Sequence, residues 1–207
     1  MKLVHLAMRM DQVDIDAIAS DILKEKRRAY EDELTALAAA VGCIGKIGRA
    51  DNTILSEMHD ESQKEAFGIA NTYNYDLALV IRSIRSETPT ANRYVYAKRL
   101  GEWSTTRAEW KSKQIMLWNT VSWRDRAQKD FYANNDLSGY AIVQPRSNPV
   151  CDVCRYWVGR GRVDVEEAKR MEWPAHLNCP HNWEYHSNKV KDCENLWVGL
   201  PNKSWYD

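Results

Sequence analysis

The sequence predicts a mainly α-helical protein that ends in a small α+β module, so its fold class is α+β overall. Three observations predict this. Apolar residues recur at helical spacing through most of the first 135 residues, short β-branched runs follow Gly139, and cysteine and histidine residues cluster between positions 151 and 181. At 207 residues the chain is long enough to bury a core of its own.

Three long helices are predicted before Gly139. Apolar side chains repeat near the helical period over residues 13–41, and Gly42 supplies a stop signal. A second helical pattern covers residues 54–85. Pro89 then breaks the chain because it disfavours helix at the preceding residue. A third helix is predicted over residues 92–133, in one or two pieces.

The sequence pattern after Gly139 changes from helical to strand-like. "YAIVQP" predicts a short strand, and "RYWVGRGRVDV" predicts two short strands around a glycine-containing turn. Asp164 followed by Glu167 fits a helix N-cap with its capping-box partner. The tail "NLWVGLPNKSWYD" is apolar in patches, so we expect it to pack back onto the protein.

Charge and hydropathy narrow the class of protein. Lys plus Arg and Asp plus Glu number 29 each, so the net charge is zero, which argues against a protein whose main task is coating nucleic acid. Residues 79–130 depart from this balance with a net charge of +6. The first residues do not resemble a secretory signal, and no run approaches the roughly 20 apolar residues of a membrane span. We therefore expect a soluble protein that is made in a cytoplasm.

The cysteine and histidine cluster predicts a metal site. Cys151 and Cys154 are separated by two residues, and so are His176 and Cys179, a spacing that lets each pair turn toward one tetrahedral ion. Thiolates with an imidazole favour zinc over magnesium, calcium or manganese. Four protein ligands leave no open position, so the expected role of the zinc is structural.

Two alternatives remain open from the residues alone. The cysteines could be ordinary buried thiols, a common environment for this residue type. Within the metal interpretation, His181 could replace His176 as the fourth ligand. Cys43 lies far from the cluster and is expected to be a plain core residue. The odd number of cysteines does not suggest a secreted disulfide scaffold.

Motifs for catalysis are missing from the sequence. It contains no phosphate-binding glycine loop, no Gly-x-Ser-x-Gly, no His-Glu-x-x-His and no His-x-Glu before the first cysteine pair. We therefore predict no catalytic residue and no enzymatic activity.

The cysteine segment nevertheless resembles a known family. "NPVCDVCRYWVGRGRV" followed by "WPAHLNCPH" is similar to the C-terminal module of the Mu F-like minor head proteins of tailed bacteriophages, with the resemblance covering residues 105–185. Where the family closes its motif with a second cysteine, this chain has His181. The resemblance divides the chain into an N-terminal helical region (1–90), the helical part of the Mu F-like region (91–139), and the zinc module with its tail (140–207).

The resemblance implies a structural protein of the virion. It would lie inside the capsid at the portal vertex after synthesis in the host cytoplasm, in multiple copies per virion but few relative to the coat. Its partners would be the portal protein and other head proteins, with possible contact to packaged DNA, and it would support head assembly, DNA packaging or ejection. The alternatives are a zinc-containing DNA-binding protein and a His-Asn-His type nuclease, for which His181, Asn182 and His186 are the available residues.

Overall fold

The protein is mainly helical and carries a small antiparallel sheet near its C-terminal end, as the sequence predicts. The computed structural model describes residues 10–144, 151–171, 173–175, 179, 181–190 and 192–199, except the side chains of residues 108 and 109. Its elements are α1 Gln12–Ala40, α2 Asn52–Glu87, α3 Arg93–Asn134, β1 Gly139–Gln144, α4 Asp152–Arg160, β2 Val163–Asp164, α5 Val165–Lys169 and β3 Asn182–Ser187.

Local capping bonds explain where α1 begins and ends. Asp11 accepts a hydrogen bond from the Asp14 backbone N–H, and Asp14 accepts one from the Asp11 N–H, each at 3.1 Å. This reciprocal pair satisfies two backbone donors at the first turn. At the other end, Gly42 adopts φ 98° and the Cys43 N–H donates to the carbonyl of Ala38 at 2.8 Å. The helix therefore ends in a Schellman turn that only a residue tolerant of positive φ closes without strain.

The other two long helices start at side-chain caps as well. Asp51 accepts from the Ile54 N–H at 2.9 Å to begin α2, and Asn92 accepts from the Val95 N–H at 3.1 Å to begin α3. The predictions of three helices and of the break at Pro89 are confirmed, and α3 runs as a single piece.

The chain divides into two compact units, and each unit is built from two separate segments of the sequence. The first contains Met1–Leu23 and Glu57–Lys113, and the second contains Lys24–Ser56 and Gln114–Asp207. In the first unit, the core has one cluster of mostly small side chains and one of large side chains. These clusters are Ile15, Ala19, Ala66 and Ala70, and Leu77, Ile84, Tyr96 and Leu100.

The second unit holds the sheet and its own core. The strands are antiparallel in the order β2-β1-β3, with Tyr140 opposite both Asp164 and His186. Alternate residues along the strands face the core, because successive side chains of a strand point to opposite faces. On the buried face, Tyr185 lies against Tyr132 of α3 with ring centroids 5.3 Å apart.

The segment predicted to form two strands forms α4 and β2 instead. The first of those strands is wrong because Cys151 caps a helix, with its sulfur accepting from the Cys154 N–H at 3.4 Å. Cys154 and Trp157, one turn apart, share the buried face of this helix. Gly161, with φ 68°, ends it. The predicted N-cap at Asp164 is confirmed, and its side chain accepts from the Glu166 N–H at 2.8 Å.

A disulfide corrects the prediction for Cys43. This residue is buried, as expected, but it is bonded to Cys193 across 150 residues, with the Cα atoms 5.4 Å apart. The described part of the tail, residues 195–199, packs back onto the protein, since the Arg49 N–H donates to the Val198 carbonyl at 2.9 Å. Just before it, the Val190 N–H donates to the Val41 carbonyl at the same distance. The return of the tail brings the two cysteines together, which no local pattern could reveal.

A buried carboxylate gives the second unit a pH-dependent stability. Asp125 is 3% exposed and pairs with Lys129 at 2.7 Å. Burial raises the pKa of Asp125 from 3.8 to about 6, Lys129 opposes this rise, and the nearby Glu33 adds to it. Between pH 4 and pH 6 the folded protein therefore retains a proton that the unfolded chain releases, so the contribution of Asp125 to stability falls as the pH rises.

We predict that Asp125→Asn removes this pH dependence. Relative to the variant, the free energy of unfolding of the wild-type protein should drop by on the order of 2 to 3 kcal/mol between pH 4 and pH 6 and then level off. Urea denaturation at a series of pH values measures the difference, with Asp60→Asn at an exposed aspartate as the control. Parallel stability curves for the wild type and Asp125→Asn would show that the burial of Asp125 does not act in this way.

Candidate metal centre

Three buried side chains converge at the start of β3. Cys154 comes from the buried face of α4, whereas Cys179 and His181 come from the chain that leads into the strand. Their ligand atoms all lie within 4.8 Å of one another. The group could bind a metal ion, because two thiols and an imidazole are strong ligands for transition metals.

The distances in this group are short. The sulfur atoms of Cys154 and Cys179 are 3.4 Å apart, and the Cys179 sulfur lies 3.5 Å from Nδ1 of His181. The three side chains are exposed by only 0%, 1% and 2% in chain order. Nδ1 is therefore the imidazole atom that faces the thiols, and the group as a whole is shielded from water.

Cys151 lies at the edge of the same group. Its sulfur accepts the Cys154 backbone N–H, and its side chain is half-buried. The cap of α4 thus places a further sulfur beside Cys154, outside the set of three ligand atoms that lie within 4.8 Å of one another.

Three tryptophan side chains pack together next to the chain that carries His181. Trp183 is fully buried, and its ring lies 5.4 Å from that of Trp157 and 5.6 Å from that of Trp173 between centroids. The indole N–H of Trp173 donates to the backbone carbonyl of His181 at 2.5 Å. Such rings bury large apolar areas, and the bond from Trp173 fixes the backbone that carries His181.

Burial also controls the protonation of the thiols. It raises the pKa of the Cys154 thiol well above its usual range, and the neighbouring Cys151 and Cys179 thiols raise it further. A metal ion must displace this proton, because the thiolate is the metal ligand. Metal binding at this site should therefore weaken as the pH falls.

The structure brings together only part of the predicted ligand set. Cys154 and Cys179 are in contact, and Cys151 adjoins Cys154. The histidine in the group is His181, which the sequence left open as the alternative, while the favoured His176 lies outside the described residues. His186 is not in the group, and its Nε2 atom lies 3.6 Å from a carboxylate oxygen of Glu184.

Sequence reasoning missed this tryptophan cluster. Its signal was the presence of three tryptophans within the 33 residues that contain the cysteine cluster. Of the tryptophans of α3, Trp123 is 5% exposed and packs on Tyr30, whereas Trp110 is 49% exposed.

Fold and site together define a mainly helical protein with a small Cys/His module. Comparison of the chain with protein-family models, with curated proteins and with solved structures finds no match. Within the described part of the chain, no helix has an apolar stretch long enough to cross a membrane.

We predict that purified protein contains about one metal ion per chain and that Cys154→Ser loses it. The matched control is His186→Ala, which removes a histidine of the same sheet that is not in the group and should leave the metal content unchanged. Elemental analysis measures the content. Since binding energy at such a site is folding energy, chelation should also lower the melting temperature of the wild type but not that of Cys154→Ser.

The prediction fails if the wild type contains no metal, or if Cys154→Ser and His186→Ala retain the same amount. The chelation experiment keeps the test decisive if Cys154→Ser folds poorly, because it uses wild-type protein.

Proposed function

We propose that this chain is a structural minor head protein of a tailed phage, whose C-terminal module is cross-linked by zinc. The observation that carries the proposal is the buried group of Cys154, Cys179 and His181. It unites the two halves of the segment that resembles the Mu F-like proteins, since Cys154 belongs to "CDVC" and Cys179 to "WPAHLNC".

The spacing of the ligand atoms supports zinc. Around a tetrahedral zinc ion with Zn–S near 2.3 Å and Zn–N near 2.0 Å, neighbouring ligand atoms are about 3.5 to 3.8 Å apart. The observed separations of 3.4 and 3.5 Å are close to this without rearrangement. We propose Cys151 as the fourth ligand: its sulfur lies in the cap of α4 beside Cys154, and it would turn toward the ion that the three closely spaced ligand atoms bind. A bound zinc would neutralise the thiolates and fix α4 to the start of β3.

A structural role fits the burial of the site better than a catalytic one. A nuclease of the His-Asn-His type would need a histidine that reaches its substrate. Here His181 is 2% exposed beside a thiol, and Asn182 is 7% exposed. Three thiolates and an imidazole would also fill the coordination of zinc and leave no position for an activated water. We therefore propose that the module catalyses no reaction.

The resemblance supports a place inside the capsid near the portal. The disulfide between Cys43 and Cys193 is consistent with this setting, because disulfides persist in particles that have left the reducing cytoplasm. Zinc-bound thiolates resist such oxidation only while the metal is held. In this proposal two of the five cysteines form the disulfide and the other three bind the metal.

We predict that the protein is present in purified virions, in few copies relative to the major capsid protein, and that its gene lies near the portal and major capsid genes. Quantitative mass spectrometry of gradient-purified particles provides the measurement. Complementation of a gene knockout with Cys154→Ser should give particles that contain less of the protein than complementation with His186→Ala does. The proposal would be abandoned if the protein were abundant in infected-cell lysate but missing from the particles.

A further inference from the structure

An exposed tryptophan on α3 lies against two positively charged side chains. Trp110 is 49% exposed, the Arg107 guanidinium lies 5.3 Å from its ring centroid, and the Lys111 ammonium lies 5.1 Å from it. Cations at this distance are attracted to the electron-rich face of an indole ring. Trp110 therefore acts as a platform that fixes two positive charges at the surface of the first unit.

The surrounding residues extend this positive patch, which consists of Arg107, Trp110, Lys111 and Lys113. Lys113 is exposed and lies three residues after Trp110, so their side chains are neighbours on the helix. Arg107 is additionally tied to Asp76 of α2 at 2.5 Å, which restricts its side chain. The two lysines carry no salt bridge among the ion pairs between described residues, so their charges are available to an anionic partner.

We propose that this patch binds the phosphate backbone of duplex DNA. The biological setting rests on the proposed function, which places the protein inside the capsid, but the chemistry rests on the patch alone. Lysine ammonium groups bind phosphates as point charges, and the indole N–H of a half-exposed tryptophan is a further donor that suits a phosphate oxygen.

Duplex backbone is favoured over an unpaired base. Because two cations already lie over the ring of Trp110, a base that stacked there would have to displace one of them. A phosphate needs no such rearrangement and gains from charges that are already fixed. The contact would be independent of sequence and sensitive to salt, since phosphate contacts release condensed counterions.

The test measures binding of a fluorescent duplex of about 30 base pairs, about 100 Å at 3.4 Å per base pair. The test variant is Lys111→Gln with Lys113→Gln. The control is Arg93→Gln with Lys98→Gln, which removes two exposed positive charges from the same helix. We expect the test pair to weaken binding about tenfold at low salt, and to reduce the slope of log affinity against log salt by about 2, whereas the control should change both far less.

Trp110→Ala provides an independent readout. Since Trp110 is half-exposed, the variant should fold, and loss of the platform should weaken duplex binding roughly two- to fivefold with all charges retained. The proposal is overturned if wild-type protein does not bind the duplex at low salt, if both double variants lose equal affinity, or if a polyglutamate peptide of equal charge competes as well as DNA. Metal content and virion incorporation are measured separately, so these failures would leave the proposed function standing.

Discussion

The approach of the Cys154 and Cys179 sulfur atoms to 3.4 Å joins two stretches of chain that are 25 residues apart. The described residues between them form the rest of α4, a two-residue strand and a five-residue helix, elements too small to bury much apolar surface. A contact of buried thiols and an imidazole contributes little by itself, whereas shared coordination of one ion would convert binding energy into folding energy. The arrangement of α4, β3 and the tryptophans around them depends on this convergence.

A disulfide joins two distant parts of the same unit. The disulfide ties the turn after α1 to the tail, and the surrounding backbone bonds at Val41 and Arg49 make the tail part of the folded unit. In the chain-entropy picture, closing a loop of this length removes much freedom from the unfolded chain. Oxidation favours this bond, whereas Cys154 and Cys179 are free thiols that are 0% and 1% exposed, so their burial limits the access of oxidants under conditions that suit the disulfide.

Helical periodicity, Gly42 and Pro89 were sufficient to predict the three long helices, because each of these signals acts within a few residues. The failures have two different causes. Cys151 was interpreted as a metal ligand in a tight turn, but it also caps a helix. Because the cysteine pair predicted a turn at this point, the helix α4 was not predicted. The pairing of Cys43 with Cys193 depends on a contact between distant segments, which spacing along the chain does not encode.

The most direct test of the central claim is X-ray absorption at the zinc edge on purified, zinc-loaded protein. The account predicts a four-coordinate shell with about three sulfur atoms near 2.3 Å and one nitrogen near 2.0 Å. Such a shell is the one that Cys151, Cys154, Cys179 and an imidazole would form around one ion. A shell made of oxygen and nitrogen without sulfur would contradict the account, because it would place the metal outside the buried cysteine group.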